Sequence, residues 1–153
     1  MRDFIKAIII TFAILGVLAG GSVFYVVWKT GESMKRMKPY ISYTKLVNLA
    51  DGFDYYKKQY GVWPAGTNQL VKVRPDLVND ITDGYGRAVI VIPYSEKAGY
   101  GEVISYGREG KPGGVNQFDR EIVIRFPMDT ETNVQWNKQV ADRFKTRASR
   151  GLW

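Results

Sequence analysis

A glycine-rich stretch in the C-terminal half of the chain, ISYGREGKPGG, holds the residues whose types could do chemistry. Three acidic residues, Glu109, Asp119 and Glu121, lie in or just after it, between two predicted strands, together with four glycines at 107, 110, 113 and 114. Carboxylate and carbonyl oxygens are the ligands that calcium prefers, and turned backbone amides can hold a phosphate. The residues alone allow three interpretations: a metal loop, a phosphate cradle or a simple turn.

Neighbouring residues bear on these three interpretations. Arg108, Lys111 and Arg120 offset the three acids, so the stretch is neutral. A neutral loop attracts a divalent cation weakly, and ion pairs within it could order it instead. Because the stretch leads into a predicted strand rather than a helix N-terminus, a phosphate cradle is disfavoured. Metal binding and a simple turn both stay open.

The overall composition restricts the class of protein. Histidine and cysteine are absent from the 153 residues, which excludes Ser-His-Asp and Cys-His catalysis and the usual zinc sites. Since no carboxylate pair stands in a recognisable catalytic setting, we predict that the chain is not an enzyme. The formal net charge of +7 suits nucleic acid, anionic lipid or an acidic protein about equally well.

The segment over residues 7–28 has no charged side chain and is strongly apolar. Its length corresponds to about 33 Å of α-helix, enough to cross a bilayer core. We predict an uncleaved transmembrane anchor over 1–28. A cleaved signal peptide is the alternative, but the apolar run continues beyond the only small-residue cleavage site, at 19–21. Gly16 and Gly20 form a G-x-x-x-G pair, a predicted packing site for another transmembrane helix.

Beyond the anchor the sequence predicts an α+β domain over residues 40–127. A basic joint over 29–39 leads into an amphipathic helix over 40–60, which Gly61 ends, and a short helical piece follows at 67–73. Three strands rich in β-branched residues come next, and their order favours a small antiparallel sheet against which the long helix packs. The predicted strands are 87–93, 101–107 and 120–126.

Residues 128–153 form a separate predicted element, a C-terminal helix capped by Asp129 or Thr130. Val134, Val140 and Phe144 make a narrow apolar stripe, and the other side of the helix is basic. Because the stripe is thin, we predict that the helix docks on the domain or binds a protein partner rather than lying on lipid. The residues predicted to contact a partner are Trp136, Val140, Arg143, Phe144 and Arg147.

The order of these elements resembles the pilin and pseudopilin superfamily, in particular the major pseudopilin of bacterial type II secretion systems. LVNLADGFDYYKKQYGVWP resembles the end of the family's long helix, and DGYGRAV resembles its Asp-Pro-Trp-Gly-x-Pro turn. ISYGREGKPGG resembles the family's Ser-Leu-Gly-x-Asp-Gly-x-x-Gly-Gly loop, and DREI resembles the acid-x-acid-Ile that follows. These pieces occur in the family's order, and the resemblance covers residues 4–122.

The resemblance implies calcium as a cofactor of the glycine-rich stretch. Carried over by position, the implied ligands are the carbonyls of Tyr106 and Val115 and the side chains of Glu109, Asp119 and Glu121. Two of the acids depart from the family's aspartates, and a glutamate's longer side chain does not fit the same cage unaided.

The resemblance also implies a function, which the N-terminus modifies. Family members are cut between a glycine and a phenylalanine and carry a glutamate at the fifth mature position; here Asp3 precedes Phe4, and Ile8 holds the fifth position. We therefore predict an uncut, pseudopilin-like structural subunit of a bacterial envelope machine (secretion, pilus or motor type) that acts by protein–protein docking. Its expected partners are envelope-complex proteins, copies of itself and the lipid bilayer, with nucleic acid disfavoured.

Two alternatives and the topology stay open at this stage. One alternative is a true pseudopilin that assembles into a short filament, and the other is a basic module for DNA or anionic surfaces. Counting Lys and Arg beside the anchor places the C-terminal domain in the cytoplasm, whereas the resemblance places it in the periplasm. We follow the resemblance and predict an inner-membrane protein with a cytoplasmic N-terminus.

Overall fold

The computed structural model describes residues 25, 29–31, 37–113 and 121–149, with side chains up to Phe144 in the last helix. The chain divides into two compact units, Met1–Arg36 and Met37–Trp153. In the first unit the described residues are helical, and Lys29 Nζ lies 5.8 Å from the centroid of the Tyr25 ring. Apart from Tyr25, the predicted anchor, with Gly16 and Gly20, lies outside the described residues. Within the described ranges, no helix is both long enough and apolar enough to span a bilayer.

The predicted amphipathic helix is present over residues 37–60, which we call α1. The last turn of α1 is followed by Gly61, whose N–H donates to the Lys57 carbonyl at 2.9 Å, while the Lys57 ammonium donates to the Gly61 carbonyl at 2.5 Å. The predicted helix end is confirmed. The fully buried apolar residues of α1 recur every three or four residues, which places them on one face, as an amphipathic helix requires. They are Leu46, Leu49, Ala50 and Phe53.

Two short helical elements connect α1 to the sheet. Helix α2, Thr67–Val73, matches the predicted short helical piece, and the 3₁₀ helix Pro75–Asn79 after it was not predicted. Pro75 suits the first position of that helix, because an N–H there has no partner inside the helix. Each element contributes one buried leucine, Leu70 and Leu77, to the same core as α1.

The sheet has three antiparallel strands in the order β1-β2-β3, as predicted: β1 is Ile90–Ser95, β2 is Tyr100–Ser105 and β3 is Ile122–Phe126. Val103 on the central strand pairs with Val91 on one side and Ile124 on the other. The register of β1 against β2 shifts between Ile92 and Ser95. The prediction of an α+β domain with a small antiparallel sheet is confirmed.

One face of the sheet forms the core with α1. Alternation along β3 turns Ile122, Ile124 and Phe126 toward the core, since successive side chains of a strand point to opposite faces. The Phe126 ring stacks on Phe53 of α1, with centroids 4.5 Å apart, and Trp63 lies 5.3 Å from the same ring. These aromatic contacts fix the position of β3 on α1.

The C-terminal helix α3, Glu131–Ser149, belongs to the same compact unit as the sheet. The sequence had predicted residues 128–153 as an element apart from the 40–127 domain. Val140 and Phe144 are buried, and the Phe144 ring stacks on Tyr43 of α1 at 4.9 Å. Val134, expected on the apolar stripe, is 46% exposed. Asn133 is buried in its place, because its Nδ2 donates to the Pro127 carbonyl at 2.9 Å.

Candidate functional site

A buried carboxylate, Asp83, organises the region where the glycine-rich stretch begins. Asp83 is 3% exposed, and its Oδ1 accepts hydrogen bonds from the backbone N–H groups of Tyr85 and Arg87 at 2.8 and 2.9 Å. Its Oδ2 accepts from the Ser105 hydroxyl at 2.7 Å. Ser105 ends β2, so this carboxylate joins the 83–87 turn to the sheet edge from which the glycine-rich stretch leaves.

The same turn is also tied to α1. The Gly84 N–H donates to Ser42 Oγ at 2.9 Å, and the Ser42 hydroxyl donates to the Lys38 carbonyl at 3.0 Å. A Cβ at position 84 would collide with that carbonyl, so only glycine permits the turn to approach the helix this closely. The DGYGRAV piece therefore joins α1, through Ser42, to the end of the sheet, through Ser105.

The side chain of Arg87 connects the 83–87 turn to the glycine-rich stretch. Its guanidinium donates to the carbonyls of two successive residues, Gly107 and Arg108; the distance to Arg108 is 2.6 Å. Gly110 adopts a φ of +67°, and a Cβ there would lie 2.9 Å from Arg87 Nε. The 107–110 turn therefore closes over the arginine side chain.

The five calcium ligands that the resemblance implies fall in two groups. Val115 and Asp119 lie outside the described residues. Tyr106 is half-buried directly after β2, and Glu109 and Glu121 are exposed. Among the residues that the structure describes, no three acidic side chains are grouped so that they could hold a metal ion. The two carbonyls that directly follow Tyr106 are bound by Arg87.

The residues predicted to contact a partner on α3 also divide. Val140 and Phe144 are buried within this domain, and Trp136 is half-buried against β3. Arg143 is exposed, and the side chain of Arg147 lies outside the described part of α3. Of the two predicted outcomes, docking on the domain accounts for the three apolar side chains; partner binding by Arg143 and Arg147 stays a prediction.

Helix α3 covers the outer edge of β3 with side-chain hydrogen bonds. Asn137 Oδ1 accepts from the Arg125 N–H at 3.0 Å, and Asn137 Nδ2 donates to the Arg125 carbonyl at 2.8 Å. The Trp136 indole donates to the Val123 carbonyl at 3.1 Å. An uncovered strand edge is a template for pairing with another chain, and these three bonds occupy that template on β3.

The Arg125 side chain links Trp136 of α3 to Tyr100 and Glu102 of β2. Its guanidinium carbon lies 4.0 Å from the ring centroids of both Tyr100 and Trp136, and its Nε donates to Glu102 Oε1 at 3.1 Å. A planar guanidinium suits such stacking better than a lysine ammonium would. The opposite edge strand, β1, carries Pro93 and a register shift, both of which disfavour strand pairing.

A second buried carboxylate, Asp54 on α1, lies at the junction of β3 and α3. It is 8% exposed; its Oδ2 accepts from the Met128 N–H at 2.7 Å, and its Oδ1 has no hydrogen-bond partner in the structure. Burial raises the pKa of Asp54 to about 6, with Asp129 and Asp51 adding to the increase and the Met128 bond and Lys58 opposing it. Asp54 can therefore gain a proton slightly below neutral pH.

Three exposed apolar side chains of α1 lie together at the end nearest in sequence to the predicted anchor, while Tyr55 and Tyr60 are exposed closer to the other end. Met37, Tyr40 and Ile41 are exposed, and their spacing of three and four residues places them on one side of the helix. Toward the other end of α1 the exposed residues include charged and polar side chains such as Asp51 and Lys58. We call Met37, Tyr40 and Ile41 the α1 stripe.

Comparisons with protein families, with curated proteins and with solved structures found no match to this chain.

Sequence reasoning placed the glycine-rich stretch correctly after a strand but missed the side chains that hold it. The DGYGRAV piece contained the only available signal: an aspartate at the start of a glycine-containing turn often bonds the amides that follow it. Asp54 and Asn137 gave no signal of their own, because their partners are distant in sequence.

Proposed function

We propose that this chain is a non-enzymatic, membrane-anchored and pseudopilin-like structural subunit of a bacterial envelope machine. In this proposal residues 7–28 anchor it in the inner membrane, the N-terminus is cytoplasmic, and the 37–153 unit lies in the periplasm. It acts by docking against other envelope proteins or copies of itself. The support comes from the sequence resemblance together with the surface of the folded unit.

The observation that carries the proposal is the α1 stripe. Met37, Tyr40 and Ile41 are exposed together on a different side of α1 from its buried core residues, which are Leu46, Leu49, Ala50 and Phe53. Adjacent exposed apolar residues on one helix face are typical of an interaction site. Because the stripe directly follows the predicted anchor in sequence, we infer a partner that is also held at the membrane.

The distribution of charge supports a protein partner rather than nucleic acid. Residues 37–144 carry 14 Lys and Arg against 13 Asp and Glu, so this part of the chain is nearly neutral. The excess positive charge lies in residues 1–36 and 145–153. Binding to a phosphate backbone is favoured by an excess of Lys and Arg, which this part of the chain lacks.

Site-directed cross-linking tests the docking surface. The chain has no cysteine, so Ile41→Cys creates a single attachment point for a thiol-reactive photo-cross-linker in native membranes. Val78→Cys is the matched control, because Val78 is 50% exposed, against 39% for Ile41, but lies on the 3₁₀ helix. We expect discrete cross-linked membrane proteins from position 41 and none from position 78. Equal or absent cross-links at both positions would contradict the stripe.

Intact mass measurement distinguishes the fixed subunit from a working pseudopilin. The native complex is extracted in mild detergent, and the chain and its companions are weighed. A chain that retains Met1 with stoichiometric membrane partners supports the proposal. A chain that begins at Phe4, recovered as homopolymers, would replace it with the filament alternative.

A further inference from the structure

The 107–110 turn binds a positive charge that belongs to the chain itself. The two outer nitrogens of Arg87 donate to the carbonyls of Gly107 and Arg108, which are adjacent in sequence and point to the same side chain. A guanidinium is planar and presents its N–H groups as a fork, so it can bind two neighbouring oxygens at once. Converging carbonyls of this kind are also what a cation would need.

The turn leaves little room beside the arginine. A Cβ at Gly110 would lie 2.9 Å from Arg87 Nε and 3.2 Å from its Cδ and Cζ. At the φ of +67° of this residue, glycine is the residue that fits without strain. The backbone of the turn is therefore packed directly on the side chain of Arg87.

Arg87 is held at its other end by the same sheet edge. Its backbone N–H donates to Asp83 Oδ1, and Asp83 Oδ2 accepts from the Ser105 hydroxyl. Ser105 Oγ in turn accepts from the Gly107 N–H at 3.2 Å. The contacts form a closed circuit of Arg87, the Gly107 turn, Ser105 and Asp83, so the arginine and the turn are held by the same two side chains.

We propose that the guanidinium of Arg87, and not a bound divalent cation, supplies the positive charge that orders the 107–110 turn. A calcium ion at the Gly107 and Arg108 carbonyls would have to displace the guanidinium or lie beside it against like-charge repulsion. Among the described residues, no three acidic side chains are grouped so that they could offset this repulsion by holding the ion. The turn therefore forms without calcium, and this proposal does not depend on the proposed function.

The test uses the full chain in non-ionic detergent and two kinds of measurement. Thermal unfolding is followed in EDTA and in about 2 mM calcium, above the dissociation constants of weak extracellular calcium sites. Hydrogen exchange of peptides covering 105–110 reports on the turn itself. Arg87→Gln removes the fork, and Lys97→Gln is the matched control, because Lys97 is an exposed cation in the β1–β2 turn.

We expect the wild-type melting temperature and the exchange of 105–110 to be the same in EDTA and in calcium. Arg87→Gln should speed exchange at 105–110 at least tenfold in EDTA, and Lys97→Gln should leave it unchanged. A saturable rise of the wild-type melting temperature with calcium would overturn the proposal, as would unchanged exchange in Arg87→Gln. If Arg87→Gln does not fold, the wild-type calcium titration still decides.

Discussion

Asp83 and Asp54 are two buried carboxylates in one domain, and their surroundings differ sharply. Asp83 is 3% exposed and accepts three hydrogen bonds, which reach both of its oxygens. Asp54 is 8% exposed and accepts one, on Oδ2, while its Oδ1 is buried without a partner. The two carboxylates are therefore buried to a similar extent but differ in how many hydrogen bonds they accept.

The difference indicates what each carboxylate contributes. A buried carboxylate is tolerated when hydrogen-bond donors replace the water it has lost. Both oxygens of Asp83 have such donors, in its own turn and on Ser105. Only one oxygen of Asp54 has a donor, and burial raises the pKa of Asp54 to about 6. Asp83 therefore holds the 83–87 turn on the sheet, whereas Asp54 makes the junction of β3 and α3 sensitive to pH.

Removing the Asp83 carboxylate should have the largest effect. Asp83→Ala leaves the N–H groups of Tyr85 and Arg87 and the Ser105 hydroxyl without their acceptor, and we expect a loss of about 3–5 kcal/mol in the free energy of unfolding. Urea unfolding of the full chain in detergent, followed by tryptophan fluorescence, measures it. Asp76→Ala is the control: its ion pair with Arg74 is at the surface, where solvent screens it, so the loss should be much smaller than for Asp83→Ala. Equal losses would contradict the comparison.

Asp54 should make stability fall as the pH rises. Its folded pKa of about 6 lies above the ordinary value of 3.8, so the folded chain holds this proton more tightly than the unfolded chain does. The stabilising contribution is complete below about pH 4 and is lost as the pH rises through 6, a decrease on the order of 2 kcal/mol. Urea unfolding at pH values from 4 to 7.5 measures the slope.

Asp54→Asn provides the control for that slope, since the amide cannot ionise. Its Oδ1 can still accept from the Met128 N–H. As the pH rises from 4 to 7.5, the wild type should therefore lose stability relative to Asp54→Asn. Any advantage of the wild type in unfolding free energy should shrink, or the variant should become the more stable chain. Parallel pH profiles for the two chains would assign the slope to other groups.

Local patterns in the sequence were sufficient to predict the α-helices and strands of the domain, but neither its 3₁₀ helix nor the contacts that hold the elements together. The apolar spacing of Leu46, Ala50 and Phe53 predicts α1, and β-branched runs predict the three strands, because these signals are local. The position of Asn133 could not be predicted: it is buried because its amide bonds the Pro127 carbonyl, and Val134 beside it is exposed. A hydrophobic pattern contains no information about such a bond.

The glycine-rich stretch illustrates the same limit at the candidate site. The sequence identified its acids and glycines and placed it after a strand, and the strand β2 does end at Ser105. It placed Arg87 at the start of a strand, yet β1 begins at Ile90 and Arg87 turns back to bind the Gly107 and Arg108 carbonyls. That contact joins residues about twenty positions apart, and local propensities do not report it.

Ser105→Ala should have the smallest effect of the three stability tests. It leaves one oxygen of Asp83 without its hydrogen-bond donor, which makes Asp83 resemble Asp54. The substitution removes the side-chain donor to Asp83 Oδ2 and the acceptor of the Gly107 N–H, and leaves the two backbone bonds to Oδ1 in place. We expect a loss of about 1 kcal/mol in the same urea assay. Ser95→Ala, at the exposed end of β1, should change stability by less than about 0.5 kcal/mol. If the two serine variants unfold alike, the donors to Oδ1 alone suffice for Asp83, and the number of donors does not explain the difference between the two carboxylates.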